Sequence, residues 1–280
     1  MSDPVDNKNS NIAYEYLEKN RNLIRSRKGG WIMGRGVMNQ GYEMMEDFVG
    51  KLSYMQVNVF NVTGRIPSIE LANWMEAVHI CLSWPDPRIW CNHIGALGGT
   101  ARTSAMAAVA SGVMASQSNL YGPKTIIAGV EFIQKAKLLE DESVGIEEII
   151  KTLCVWQGGK PKVVGYARPI AKGDERVPAM DKVRKKYNFE IGKHLALALR
   201  INKYLEGSFD ESMNINGYVT AFMADHNFSA QESYQIFLGL VPSGVAACYI
   251  DTKMRKEWSF MPQRCEDIKY QGHQFRSISD

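Results

Sequence analysis

Residues 68 to 82 read SIELANWMEAVHICL, and Leu71, Met75, Val78 and Leu82 fall on one stripe of a 3.6-residue helix. Pro67 precedes the stretch and Ser68 is placed to cap its first amides, so a helix begins here. Downstream, RTSAMAAVASGVMAS (Arg102 to Ser116) is so rich in Ala, Ser and Gly that a helix there would pack closely against another backbone. Stripes recur in IIAGVEFIQKAKLLE after the Tyr121-Gly122-Pro123 break, in SVGIEEIIKTLCVW, and in IGKHLALALRINKYL, which stops near Asn214 and Gly217. Ser229 with Glu232 three residues on is a capping-box signature, and Pro242 should kink or split the apolar run that follows. Short strand pairing is expected only near Trp31 to Gly41, a long loop over Trp156 to Pro178, and an irregular tail from Glu257. The predicted class is all-α.

The chain has 280 residues, 45% hydrophobic and 22% charged, the composition of a globular protein with one large or two unequal domains. A formal charge of +3 is far from the concentrated basic face that nucleic acid requires. No long uncharged apolar run suggests a membrane span, and the polar opening MSDPVDNKNSNIAYEYLEKNRNLIRSRKGG does not read as a signal segment, so a cytoplasmic protein is expected. The five cysteines (Cys81, Cys91, Cys154, Cys248, Cys265) are odd in number and scattered, which fits free thiols better than a disulfide framework. Neither they nor the five histidines show metal-ligand spacing, and no bound metal is expected. His79 on an apolar helix reads as a packing residue, and the glycine clusters GRGVMNQG and GALGGT read as turns rather than phosphate loops.

Five blocks in order carry a more specific signal: QGYEMMEDFVGKLSYMQVNVFNVTGRIPSIE, NLYGPKTI, VVGYARPIAKGDERVPAM, MNINGYVTAFMADHNFS, and GLVPSGVAACYIDTKM with PQRCEDIKYQG. Together, from about residue 41 to 272, they resemble the citrate synthase superfamily, and most of all citryl-CoA lyase, its short lyase form. The resemblance implies an all-α, citrate-synthase-like homodimer, with a large domain (1–123 and 217–280) and a smaller inserted one (124–216). The active site would lie in the cleft between them, completed by the partner subunit. It also implies no permanently bound cofactor, a coenzyme A thioester as possible substrate, and carbon–carbon bond making or breaking against a keto acid or polycarboxylate.

That chemistry needs a carboxylate base, a neutral donor for the enolate oxygen and a second donor on the keto oxygen, for which the family uses one Asp and two His. At the matching positions this chain has Tyr121, Arg168 and Asn216. A phenol can still donate, and an arginine can bind an oxyanion or carboxylate, but an amide removes no carbon-bound proton. Arg176 matches a carboxylate-binding arginine, whereas Gly239-Leu240 has lost another and Trp84-Pro85-Asp86-Pro87 stands where a dicarboxylate-binding histidine is expected. Lys172 lies where a basic residue meets coenzyme A phosphates, with Lys160 and Lys162 adding charge. Gly165 and Tyr166 resemble the loop that receives the adenine, and Arg264 takes the place of the arginine contributed across the dimer.

Three outcomes follow from these departures. The triad is a new catalytic set, with Tyr121 as acid or base, Arg168 binding an anion and Asn216 orienting. Alternatively the protein is an inactive homologue that binds acyl-CoA or carboxylate and partners another enzyme. Otherwise ordinary lyase chemistry uses another base, with Asp174, Asp225 and His226 nearest in sequence.

Overall fold

Helix caps and glycine turns set most element boundaries in this computed structural model, which describes residues 7–168, 172–257, 259 and 264–278. The chain divides into two compact units, Met1–Ile66 and Pro67–Asp280.

The first unit runs α1 (Asn7–Lys19), β1 (Gly29–Ile32), β2 (Gly36–Asn39), β3 (Tyr42–Glu43), α2 (Met44–Asp47) and α3 (Tyr54–Thr63). The three strands form an antiparallel sheet in which Gly29 faces Asn39 and Ile32 faces Gly36, the short pairing expected of this region. Gly34, Gly36 and Gly41 all have positive φ, so the cluster GRGVMNQG supplies turns. A capping box of Ser53 and Gln56 starts α3, and the buried rings of Phe48 and Phe60 pack at 5.3 Å, with the exposed Tyr42 ring 5.5 Å from each.

Among its described residues, the regular structure of the second unit is helical apart from one hairpin and an isolated antiparallel bridge between Tyr166 and Met213. It contains α4 (Ile69–Leu82), α5 (Trp90–Thr100), α6 (Ala105–Ala115), α7 (Thr125–Asp141), α8 (Ile146–Leu153), β4 (Val155–Gln157), β5 (Lys160–Lys162), α9 (Arg176–Lys186), α10 (Lys193–Phe209), α11 (Ile215–Asp225), α12 (Ala230–Ile236) and α13 (Pro242–Lys253), then a single 3-10 turn at Cys265–Asp267. The Ser68 hydroxyl accepts from the Leu71 amide and starts α4 as its sequence implies. Pro242 splits the last apolar run by taking the first position of α13, where its missing N–H costs nothing. The all-α reading therefore holds.

Three expectations need correction. GALGGT is not a turn but lies inside α5, because its glycines are contact points. A Cβ on Gly95 would come within 2.6 Å of the Val245 carbonyl, and one on Gly99 within 2.1 Å of Thr252 Oγ1. Gly112 of α6 meets the Cys91 carbonyl in the same way, so α5, α6 and α13 pack nearly backbone to backbone, as the Ala-rich composition suggested. Residues 156–178 are not all loop: Gly158 and Gly159, with φ of 59° and 79°, close a tight hairpin between β4 and β5, and α9 begins at Arg176. Gly217, expected near a helix end, sits inside α11, nine of whose eleven residues are buried. Trp74 of α4 stacks on Phe222 of α11 with centroids 3.7 Å apart, and both are fully buried. Each ring contributes roughly 1.5–3 kcal/mol by its burial alone.

Candidate functional site

Four of the expected site residues, Gly165, Tyr166, Arg168 and Asn216, lie where the loop after β5 crosses the start of α11. Gly165 has φ +84°, and a Cβ added there would fall 2.6 Å from Gly217 Cα, so loop and helix touch through bare backbone. The Gly165 carbonyl accepts from the Asn214 amide at 3.0 Å. Tyr166 is buried and its hydroxyl donates to the Ala198 carbonyl at 2.8 Å, which makes its ring part of the wall. Ala167, a non-glycine residue, adopts φ 67°. Such a backbone costs about 1 kcal/mol or more, and it is over-determined here: the Ala167 N–H donates to the Ser212 carbonyl and its carbonyl accepts from Asn214 Nδ2, both at 2.8 Å.

That geometry aims Arg168 at two consecutive carboxylates. Its guanidinium donates to Glu175 at 2.6 and 3.2 Å and stands 3.8 Å from Asp174 Oδ1. Arg176 forks onto Asp174 at 2.8 and 2.7 Å, and Asp174 Oδ2 also accepts from the Ile215 amide at 2.8 Å. Asp174 thus ties Arg168, Arg176 and the first turn of α11 together. Burial disfavours its charge, yet the Arg176 guanidinium and the two amides outweigh burial and hold its carboxyl below the ordinary carboxylate range.

Asn216 follows Ile215 directly. Its amide Nδ2 points to the Thr125 carbonyl at 3.4 Å, at the first turn of α7, and packs on Gly129. Thr125 Oγ1 in turn donates to the Gly122 carbonyl at 2.8 Å, next to Tyr121. Gly122 has φ +79°, and a Cβ there would lie 2.1 Å from the Ser116 carbonyl, so this turn is closed tightly on the end of α6. The Tyr121 hydroxyl lies 3.3 Å from Cys91 Sγ and its ring 5.4 Å from that of Trp90. Burial first, and the Cys91 thiol second, push the phenol pKa up, so Tyr121 stays a neutral donor near pH 7. The segments carrying Tyr121, Arg168 and Asn216 are therefore joined by a chain of contacts through Thr125, Ile215 and Asp174.

Other expected residues are placed elsewhere. Lys172 pairs with Asp210 at the exposed end of α10, and Arg264 is exposed in the tail, where its amide donates to Asp267 at 2.7 Å. Lys160 donates to the Phe209 carbonyl at 2.8 Å, whereas Lys162 lines a cavity of about 350 Å³ with Lys135, Phe132, Cys154 and Val164. The alternative bases are engaged. Asp225 accepts from the His194 and Leu195 amides at 2.8 and 3.0 Å and from His194 Nδ1, and so caps α10 from a distance. His226 stacks on Phe222 at 4.1 Å with its Nδ1 at the Phe222 carbonyl. His79 packs beside Phe237 at 5.6 Å. Among the described residues no group of three or more His, Cys, Asp and Glu is placed to hold a metal ion.

Sequence reading did not single out Glu175, Cys91, Asn214 or Thr125. Cys91 and Thr125 act from separate helices, and only the Asp-Glu-Arg run at 174–176 carried a local signal.

No protein-family model matches the sequence, and no curated protein matches it. Solved structures do match in shape. Citryl-CoA lyase from Hydrogenobacter thermophilus superposes with a TM-score of 0.74 at 18% identity, over 92% of this chain and 98% of that one. ATP citrate lyase from Methanothrix soehngenii, solved with citrate and coenzyme A, gives 0.74 at 15% identity over 98% of this chain, which spans only 45% of that one. Citrate synthase from Thermotoga maritima gives 0.60 at 15% identity, over 97% of this chain and 66% of that one. The chain has the helical fold of citrate synthases and citryl-CoA lyase.

Proposed function

We propose that this protein is a member of the citrate synthase superfamily that makes or breaks a carbon–carbon bond in a coenzyme A thioester or related polycarboxylate, by a modified mechanism. The observation that carries this reading is the contact chain joining Tyr121, Arg168 and Asn216, the three positions at which the family's catalytic groups are exchanged. Tyr121 serves as the neutral donor to an enolate oxygen, Arg168 as the anion binder and Asn216 as an orienting amide, so these three polarise and position, and the proton is taken by a separate base. The cavity beside Val164, whose lining carries Lys135 and Lys162 against one carboxylate, Glu131, with Phe132 and Leu153 as apolar walls, is the proposed seat of the partly apolar arm of a thioester. As parts of the same proposal, segment 124–216 forms the smaller domain, Arg176, Lys172, Gly165, Tyr166 and Arg264 serve ligand binding, and the thioester is a substrate rather than a resident cofactor.

Titration calorimetry with coenzyme A, acetyl-CoA, oxaloacetate and citrate tests the substrate class. Binding of a thioester is expected, and its absence for every coenzyme A species overturns the reading. Where turnover is found, Tyr121→Phe and Arg168→Ala should each lower it by roughly two or more orders of magnitude.

A second reading, an inactive homologue that binds acyl-CoA or carboxylate beside another enzyme, is favoured by one contact: Asn216 donates toward a carbonyl and holds no basic atom. Citryl-CoA cleavage gained by the triple variant Asn216→Asp, Tyr121→His, Arg168→His would show that only the reactive groups differ.

A homodimer is also proposed. Helix α6 carries no charged residue, yet Met106 and Met114 are 78% and 74% exposed, an apolar face that a second copy would cover. Met106→Glu with Met114→Glu should turn a dimer into a monomer by sedimentation. No helix among the described residues is long and apolar enough to cross a membrane. Cys81, Cys91, Cys154 and Cys248 are free thiols, which supports a reducing, cytoplasmic setting.

A further inference from the structure

The two arginines of the cluster are held in opposite ways. Arg176 grips Asp174, whose side chain is 0% exposed and also accepts from the Arg176 and Ile215 amides. Arg168, itself only 11% exposed, grips Glu175, which is 66% exposed and takes hydrogen bonds from no other side chain among the described residues. The first pair is fixed at both ends; the second is fixed only at the arginine. Resting on the reading of Arg168 as an anion binder, we propose that Glu175 is an internal stand-in ligand, and that a carboxylate of the substrate displaces it from the Arg168 fork.

Geometry and charge both favour the exchange. A guanidinium engaged through two nitrogens presents the planar fork that a carboxylate matches. Glu175 needs only to swing into water, where its charge is solvated at little cost. Arg168 does not follow, because the Ala167 backbone is pinned on both sides and Asp174 remains 3.8 Å from Nη1. With Glu175 in place the four side chains sum to zero charge; with it gone they sum to +1, which one entering carboxylate neutralises. Access to the arginine is therefore controlled by the residue that covers it.

Calorimetric titration of the full chain with citrate, malonate and inorganic phosphate at low salt tests this. Glu175→Gln should tighten citrate or malonate binding roughly 3- to 10-fold, and the gain should vanish when Arg168→Gln is added, as a double-mutant cycle requires. Glu175→Ala should reproduce the gain and show that it comes from removing the carboxylate. Unchanged or weaker binding in Glu175→Gln, a gain that survives Arg168→Gln, a gain confined to phosphate, or no binding of any anion would each overturn the proposal. A malonate gain in a protein that binds no coenzyme A species keeps the exchange and removes the enzymatic reading, so the two fail separately.

Discussion

Helix α11 ends on a buried carboxylate network at each terminus, and the two networks differ in one respect. At its C-terminal end Asp225 accepts two amides and the His194 ring, with Gly192 so close that a Cβ there would lie 2.2 Å from the carboxyl carbon. The His194 and Asp225 side chains are only 10% and 8% exposed, and the product of this knot is a capped α10. At the N-terminal end Asp174 is as fully engaged, but its second arginine leans outward onto exposed Glu175. The same physical device, a buried carboxylate saturated with donors, is a closed staple at one end and, at the other, carries an arginine whose outer partner is exposed, which is where the proposal places an anion. What separates structure from function here is whether the outermost partner can leave.

The sharpest way to break this comparison is Asp174→Asn, which strands the Arg176 guanidinium. A loss of about 3–5 kcal/mol is expected in urea unfolding, and a loss under 1 kcal/mol would mean that the cluster does not hold the site together. Asp225→Asn keeps one acceptor oxygen for the amides and strands no arginine, so a smaller loss of about 1–3 kcal/mol is expected from the same measurement. Equal losses would erase the distinction between the two ends.

Acidification probes both together. Burial works against the charge of Asp174 and of Asp225, but their hydrogen-bond donors win and each folded pKa lies below its unfolded value of about 4. The stability they contribute is therefore complete above that value and is lost as pH falls through the folded pKa, at about 1.4 kcal/mol for every pH unit that separates the folded from the unfolded value. Thermal melts between pH 7 and pH 3 should fall mainly below pH 4, and less steeply in Asp225→Asn. A melting temperature that rose on acidification would contradict both networks. The mildest test is Ala167→Gly. It relieves a left-handed alanine but frees the unfolded chain, and stability should change by no more than about 1 kcal/mol while the fold is kept.

These contrasts also mark what the sequence could reveal. Helix α4, the Ser229 and Glu232 box and the Pro242 break were legible because each leaves a local trace in stripe, cap or ring. Helix α11 was not, since a segment buried on every side has no polar face and hence no period. The glycines of α5 looked like turn residues because the helix that Gly95 and Gly99 admit, α13, lies some 150 residues away, at Val245 and Thr252. The proposed positions Tyr121, Arg168 and Asn216 were visible through ordered motifs, but the atoms they contact were not. The thiol beside Tyr121, the carbonyl facing Asn216 and the carboxylate under Arg168 reach their partners from other elements.

The bare crossing of Gly165 and Gly217 has a mechanical consequence. With no side chain between them to act as a bearing, the loop that carries Arg168 and the helix that carries Asn216 cannot slide or separate without opening a void, so they travel as a single rigid plate.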